Sequence, residues 1–216
     1  KSITKNIKLI PYSTPVYKIK AGTTYLDYNN ESYKLKIFGD HNLQNIAGAM
    51  YVCNSLGINT SDFCRSITSF KGASNRLELI HKSPDSIIFK DFAHSPSKVK
   101  ATAQAIRKQF PKKRFIACFE LHTYSSLNPI FLSKYKDTLK NVDECYVYYS
   151  EKNMKIKRLE PIDSNLIIKS FNHVNLSVID NYKKLKEIMY SLDLANSVLV
   201  MMSSGKFGGL DLNKLK

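Results

Sequence analysis

Residues 87–110, IIFKDFAHSPSKVKATAQAIRKQF, decide the fold of this 216-residue chain. The apolar run from Ile87 to Phe89 predicts a buried strand, and the polar Asp91 follows it. Ser95-Pro96 then has the form of a helix start, and apolar residues recur after it at helical spacing. These residues are Val99, Ala103, Ile106 and Phe110. A strand buried on both faces that leads through a short loop into a helix is typical of a parallel sheet covered by helices.

The same order of strand, loop and helix recurs towards the C-terminus. Four more strands are predicted, at Phe115 to Phe119, Cys145 to Tyr149, Asn172 to Val178 and Val198 to Met202. Two helical patterns lie between them, at Pro129 to Leu139 and at Tyr182 to Leu192. Strands that alternate with helices predict an α/β fold, with a Rossmann-like, mostly parallel sheet and flanking helices.

The first seventy residues have a different pattern. Short alternating stretches predict a small antiparallel sheet, with strands at Ile7 to Ile10, Val16 to Ile19, Thr24 to Tyr28 and Tyr33 to Ile37. Apolar residues then recur every three or four positions from Leu43 to Leu56, and Gly57 ends this predicted helix. A second helix, with a serine or threonine cap, is predicted from Ser61 to Thr68.

A short joint, Lys71-Gly72-Ala73-Ser74-Asn75, divides the chain into residues 1–74 and 75–216. The first part offers little core for its length, and Lys1 is not an initiator methionine. We therefore expect the chain to begin inside a larger domain, of which residues 1–74 are a partial piece.

Composition favours a globular protein, since 43% of the residues are hydrophobic. No apolar run approaches the roughly 18 residues needed to span a bilayer, and the N-terminus lacks an apolar signal core. We expect a cytoplasmic protein that makes no membrane contact. The cysteines at positions 53, 64, 118 and 145 show no close pairing, which favours reduced thiols over a disulfide frame or a zinc site.

The formal net charge of +15 is large, but its distribution argues against a nucleic-acid surface. The chain has 28 lysines and only 5 arginines, and the lysines are spread along its whole length. Base readout and bidentate phosphate clamps favour arginine. The charge therefore indicates a solvated surface rather than a nucleic-acid partner.

Polar residues follow three of the predicted strands, where ligands bind in an open parallel sheet. After the first of these strands, Asp91 can accept hydrogen bonds from ribose hydroxyls or cap the next helix. His94 there and His122 after the second strand can each steer an acyl phosphate or an incoming amine, or bond a loop carbonyl. The third loop, Ser203 to Gly209, can hold an anion or form a plain tight turn, and it lacks the spacing of a P-loop.

Two more candidates lie outside these loops. Asn42 and Asn45 stand three residues apart at a helix start, so one can cap the helix while the other presents its amide to adenine. The alternative is that both act as caps. Arg76, beside the joint, is suited to a phosphate, and an ion pair with Glu78 is its structural alternative.

Three signatures occur in order: Gly39-x-His41-Asn42-x-x-Asn45, Phe70-x-Gly72-x-x-x-Arg76-x-Glu78 and Asp91-x-x-His94-x-Pro96. Together they resemble the Mur ligases over essentially the whole chain. The resemblance implies that residues 1–74 end the central ATP-binding domain and that residues 75–216 form the C-terminal domain. It further implies an enzyme of cell-wall biosynthesis, in which ATP phosphorylates a UDP-muramyl carboxylate and an amine attacks the resulting acyl phosphate.

The resemblance also implies roles for single residues. For the nucleotide it implies His41, Asn42 and Asn45 at adenine, Arg76 at the terminal phosphates and Asp91 at the ribose. It implies that His94 and His122 are catalytic and face the acceptor. The implied acceptor-binding residues are Thr123, Ser126, Ser203, Ser204 and Gly205.

Two segments distinguish branches of the family. The alanine-adding branch carries arginines where Thr123 and Ser126 stand here, and those arginines would clamp the carboxylate of a small amino acid. The run from Ser203 to Gly209 is similar instead to the SNGxFxG segment of the murein peptide ligases. The resemblance thus implies three substrates, namely ATP, UDP-N-acetylmuramate and the recycled tripeptide L-Ala-γ-D-Glu-meso-diaminopimelate. The alternatives are an alanine-adding ligase and, from another class, a basic RNA-binding α/β module.

The chain also departs from the family pattern. Ser95 stands where a second histidine is frequent, and Asn75 stands where a first arginine is frequent. No lysine-bearing phosphate loop is present, so we expect that loop and the ligands for Mg²⁺ to lie upstream of Lys1. These 216 residues alone are therefore expected to be inactive.

Overall fold

The computed structural model describes residues 9–215 and divides the chain into two compact units, Lys1–Lys71 and Gly72–Lys216. In the first unit three antiparallel strands form a sheet in chain order, and two helices follow. The elements are β1 (Tyr17–Lys20), β2 (Thr23–Tyr28), β3 (Glu31–Lys34), α1 (Asp40–Ser55) and α2 (Thr60–Ile67). Asn29 and Asn30 both have positive φ and form the two-residue turn that joins β2 to β3.

The core of the first unit joins one face of the sheet to both helices. Its buried members are Leu26, Tyr33, Leu35, Leu43, Ile46, Phe63 and Cys64. Two predictions for this unit need correction. Of the predicted strand Ile7 to Ile10, the first two residues lie outside the described residues, and Leu9 and Ile10 are not in a strand. The cap of α2 is Asn59, whose side chain accepts a hydrogen bond from the Asp62 amide, and not a serine or threonine.

The second unit contains a six-stranded sheet in the order β4-β5-β9-β6-β7-β8. Its strands are β4 (Glu78–Lys82), β5 (Ser86–Asp91), β6 (Arg114–Glu120), β7 (Glu144–Tyr148), β8 (Leu176–Ile179) and β9 (Ser197–Met202). Its helices are α3 (Pro96–Gln109), α4 (Pro129–Leu132), α5 (Glu151–Ile156), α6 (Ser164–Phe171) and α7 (Tyr182–Tyr190). All neighbouring strands are parallel except β4, which pairs antiparallel with β5. This confirms the predicted α/β fold with a mostly parallel sheet.

Some elements differ from the sequence prediction. β4, α5 and α6 were not predicted, and the helix predicted from Pro129 to Leu139 ends at Leu132, after which Ser133–Tyr135 form one 3-10 turn. The strand predicted from Asn172 starts too early, because Asn172 ends α6 with a left-handed backbone (φ 52°).

All four cysteines are free thiols. Cys64, Cys118 and Cys145 are buried, and Cys53 is half-buried. Burial raises the pKa of the Cys118 and Cys145 thiols, which keeps them protonated and unreactive. No helix within residues 9–215 is long and apolar enough to cross a membrane.

The strand register aligns the ends of the central strands. Asp91 at the end of β5 is paired with Met202 at the end of β9, and Met202 is paired with Phe119 of β6. Glu120, the last residue of β6, is paired with Tyr148 of β7. The loops that follow β5, β9 and β6 therefore leave the sheet side by side at its carboxyl edge.

Candidate functional site

Asp91 is a buried carboxylate with only 4% of its surface exposed, and it accepts three hydrogen bonds. Its Oδ2 accepts from the Leu77 amide at 2.7 Å, and its Oδ1 accepts from the Ala93 amide at 2.7 Å and the Thr102 hydroxyl at 3.2 Å. Asp91 was predicted to follow the strand directly and is instead the last residue of β5. The contacts favour a structural role that holds neighbouring backbone, and contact with a ribose stays a prediction.

The segment that carries Arg76 is fastened to β5 on both sides. The Leu77 amide donates to Asp91, and the Asn75 carbonyl accepts from the Phe92 amide at 2.8 Å. Both Asn75 (φ 56°) and Leu77 (φ 44°) have left-handed backbones, which a leucine rarely adopts without such support. The two hydrogen bonds therefore set where Arg76 leaves the backbone.

Arg76 and His94 meet at one aromatic ring. The guanidinium carbon of Arg76 lies 5.3 Å from the centre of the Phe92 ring, and the His94 ring packs edge-on against Phe92 at 5.1 Å. Arg76 forms no ion pair with Glu78 among the described residues, since Glu78 instead accepts from the Asn75 amide at 2.7 Å. A cation and an imidazole thus lie together beside the end of β5.

The ring of His94 is held in one orientation. Its Nδ1 lies 2.9 Å from the Phe92 carbonyl oxygen, which can only accept, so Nδ1 carries the proton and Nε2 is left as an acceptor. The carbonyl of His94 accepts from the Tyr135 hydroxyl at 2.5 Å. Tyr135 is fully buried and stacks on Phe171, and burial raises the pKa of Tyr135. His94 therefore rests on a rigid aromatic core.

A second group of contacts at the carboxyl edge of the sheet is centred on Glu120, the last residue of β6, which pairs with β9. Its side chain is buried, and its Oε2 accepts from the Ser203 hydroxyl and from the Phe207 amide. The other oxygen, Oε1, lies 3.5 Å from Nδ1 of His122, which is about one third exposed. Glu120 thus connects the loop after β6 to the loop after β9.

Glu120 was predicted to lie in this loop, but no role was predicted for it. A glutamate at the end of a buried strand was a usable signal, because a buried carboxylate needs partners of its own. Its partners could not be predicted, since they come from a loop more than eighty residues away along the chain.

Three hydroxyl groups that were predicted to hold the acceptor lie in local hydrogen bonds. Ser126 is fully buried, and its hydroxyl donates to the Thr123 carbonyl at 3.0 Å and accepts from the Thr123 hydroxyl at 3.0 Å. The hydroxyl of Ser203 donates to Glu120 and accepts from the Gly205 amide at 2.6 Å. These contacts favour a turn-forming role for the three residues, and their contact with an acceptor stays a prediction.

Two other side chains in these loops form no hydrogen bond among the described residues. The hydroxyl oxygen of Ser204 is buried and has no hydrogen-bond partner among the described residues. Tyr124 is 62% exposed, and the ammonium group of Lys157 lies 4.3 Å from the centre of its ring. Gly205 lies against His122 so closely that it leaves no room for a side chain.

The first unit contains the amide pair at the start of α1. Gly39 precedes the helix with φ 92°, a conformation that favours glycine. Asn42 donates its amide to the Phe38 carbonyl at 2.9 Å, whereas the amide of Asn45 is exposed and has no partner among the described residues. His41 at the same helix start is half-buried. One amide is used locally and one points outward, while their contact with adenine stays a prediction.

A metal site is not formed by these residues. Within residues 9–215 no three His, Cys, Asp or Glu side chains lie together in an arrangement that would hold a metal ion.

The fold and the site together define a class. This is an open-sheet α/β protein whose polar loops gather at the carboxyl edge of the strands, where such proteins bind ligands. The family model described as Mur ligase, glutamate ligase domain, matches residues 75–205. The chain therefore belongs to the Mur ligase family.

Similar proteins with curated names are UDP-N-acetylmuramate–L-alanine ligases. The one from Christiangramia forsetii is 26% identical over 204 residues, which is 91% of this chain and 44% of that protein. The one from Fusobacterium nucleatum is 26% identical over 191 residues, which is 82% of this chain and 39% of that protein. The chain thus spans less than half the length of these relatives.

Solved structures share the fold. The UDP-N-acetylmuramate–alanine ligase of Thermotoga maritima has a TM-score of 0.68 at 17% identity, over 90% of this chain and 42% of that one. A murein peptide ligase of Psychrobacter arcticus has a TM-score of 0.54 at 18% identity, over 94% of this chain and 41% of that one. Identities this low show a common fold and do not distinguish between acceptors.

Proposed function

We propose that this chain supplies part of the active site of an ATP-dependent, amide-forming ligase of peptidoglycan recycling. The ligase joins UDP-N-acetylmuramate to the tripeptide L-Ala-γ-D-Glu-meso-diaminopimelate. Residues 1–74 belong to the central ATP-binding domain, and residues 75–216 are the C-terminal domain. The observation that supports this most is the grouping of Arg76, His94, Glu120 and His122 in loops at one sheet edge.

The proposed reaction has two steps. A carboxylate oxygen of UDP-N-acetylmuramate attacks the γ-phosphorus of ATP, the bond to the β-phosphate oxygen breaks, and ADP leaves. The amine nitrogen of the tripeptide then attacks the acyl carbon, the bond to the phosphate oxygen breaks, and phosphate leaves as the amide forms. The neutral amine loses one proton during this second step and keeps the other as the amide N–H.

Each group in the site has a part in this reaction. His122, with His94 after β5 on the far side of β9, accepts one proton from the amine, because a neutral imidazole does so near neutral pH. Arg76 stabilises the negative charge of the phosphate. In the first unit Asn45 binds adenine, with help from His41 and Asn42. In the second unit Asp91 contacts the ribose.

The tripeptide is proposed as acceptor because the loop after β6 lacks the arginines expected for alanine. Thr123 and Ser126 stand at those positions, and beside them lies the exposed ring of Tyr124 with the half-buried Lys157 over it. An exposed aromatic ring with one cation is better suited to a peptide that carries several carboxylates than to a single small amino acid. The alternative acceptor, L-alanine, has the names of the curated relatives in its favour.

A phosphate-release assay separates the two acceptors. The complete gene product is supplied with ATP and UDP-N-acetylmuramate, and then with either the tripeptide or L-alanine. We expect kcat/KM for the tripeptide to be higher by about 100-fold or more, since a site shaped for one acceptor discriminates by this order. A preference for L-alanine would contradict the tripeptide assignment. Phosphate release that does not depend on UDP-N-acetylmuramate would contradict the ligase itself.

A further inference from the structure

We propose that Glu120 is a positioning residue that fixes the tautomer of His122 and holds that ring against the loop after β9. This proposal rests on the proposed function for the catalytic role of His122. The contacts of Glu120 are independent of that function.

The two carboxylate oxygens of Glu120 have different partners. Oε2 accepts from the Ser203 hydroxyl and from the Phe207 amide, both in the loop after β9. Oε1 is left to face Nδ1 of His122 at 3.5 Å. Among the described residues no lysine or arginine forms a salt bridge with this buried carboxylate, and the basic side chain that faces it is His122.

This arrangement selects one tautomer of His122. A carboxylate oxygen can only accept, so the proton of a neutral imidazole is favoured on Nδ1 and the lone pair on Nε2. Polar contacts in ligand-free sites are often long and shorten when the substrate binds, so 3.5 Å is compatible with this role. Nε2 then has the lone pair that accepts a proton from an amine.

Gly205 lies against the same Nδ1 edge of the His122 ring and also against Glu120. A Cβ atom at position 205 would lie 2.6 Å from His122 Nδ1 and 2.8 Å from Glu120 Oε2. The amide of Gly205 donates to the Ser203 hydroxyl, which itself donates to Glu120. The Nδ1 edge of the imidazole is thus packed against a carboxylate and against a backbone turn that the same carboxylate holds.

Glu120→Gln tests the proposal because the amide should invert the tautomer. The Ser203 hydroxyl and the Phe207 amide both donate to Oε2, so the glutamine carbonyl should take that place. The NH₂ group must then face Nδ1 of His122, which has to become an acceptor. We expect a change from the Nδ1–H to the Nε2–H form, read from long-range ¹⁵N–¹H correlation spectra of the purified chain near neutral pH.

The control is Glu144→Gln, which alters a carboxylate paired with Arg114 at the start of β7, the opposite end of the strands. It should leave the His122 signals unchanged. The signals of His94 and His173 in the Glu120→Gln spectra report whether the fold persists. The tautomer of His122 can also be measured in the wild-type chain, without any variant. An Nε2–H form in the wild type would overturn the proposal. An Nδ1–H form that persists in Glu120→Gln would overturn it as well.

Activity of the complete gene product provides the second measurement. We expect Glu120→Gln to lower kcat by about 100-fold or more with a small change in acceptor KM, since a wrongly held tautomer impairs proton transfer. Unchanged kcat would overturn the positioning role. If the tautomer changes as expected but the wild-type gene product joins no tripeptide, the proposed function fails and the contact between Glu120 and His122 stands.

Discussion

Asp91→Ala is expected to destabilise the second unit by about 3 kcal/mol or more, because two buried amides and one hydroxyl lose their acceptor. The amides are those of Leu77 and Ala93, and the hydroxyl is that of Thr102. Burial of an unpaired amide costs about 1–3 kcal/mol, and alanine offers no replacement oxygen. The segment that carries Arg76 should loosen as well, since Leu77 then lacks the contact that holds its left-handed backbone.

Native-state hydrogen exchange measures this effect on the second unit alone. The amides of β9 pair with β5 and β6 in the middle of the sheet, so their slowest exchange reports global opening of that unit. Asp85→Ala is the matched control, because Asp85 is exposed and lies just before the same strand. Asp91→Asn should fall between the two, since an amide keeps one accepting oxygen. A loss below about 0.5 kcal/mol in Asp91→Ala would show that these hydrogen bonds are not the support described here.

Gly205→Ala is expected to lower kcat/KM by about 100-fold, because the added methyl group displaces His122. The new Cβ would lie 2.6 Å from Nδ1 and 2.8 Å from Cγ of His122, distances that a folded protein does not tolerate. Glu120 cannot yield easily, because Ser203 and Phe207 hold it from the other side. The imidazole must therefore move, and a displacement of about 1 Å in a catalytic group costs on the order of 100-fold in rate.

The measurement is kcat/KM for the tripeptide in the complete gene product, together with the ring signals of His122 in this chain. Gly209→Ala is the control in the same loop. At that position the backbone has φ 96° and nothing lies within 4 Å, so alanine brings strain of about 1 kcal/mol without a clash. Equal losses of activity in the two variants would mean that loop strain, and not the displaced histidine, is responsible.

Much of the fold was predictable because the strands of the second unit are buried on both faces. Runs such as Ile87 to Phe89 and Val198 to Met202 are continuously apolar, which is typical of a strand buried on both faces. Pro96 marks where a helix can start. β4 was missed because it is a short edge strand that contains His81 and ends at Lys82, with an irregular register against β5. α5 and α6 were missed because six and eight residues give too few turns for a clear period.

The site was predictable only in outline. A parallel sheet aligns its carboxyl ends, so residues that follow different strands, such as His94 and His122, could be assigned to one edge from sequence alone. Which polar atoms are left for a ligand depends on contacts between distant segments. Ser126 and Ser203 use their hydroxyl groups inside the loops, whereas the Ser204 hydroxyl, beside Ser203 in sequence, has no partner among the described residues.

The fate of isotopic oxygen tests the central claim, that loops at this sheet edge serve transfer through an acyl phosphate. The complete gene product receives ATP, the tripeptide and UDP-N-acetylmuramate labelled with ¹⁸O in both oxygens of its carboxylate. One labelled oxygen should leave in each phosphate released, and the other should remain in the amide, because the carboxylate attacks phosphorus before the amine attacks carbon. Phosphate without label, or release of AMP and pyrophosphate, would contradict the account.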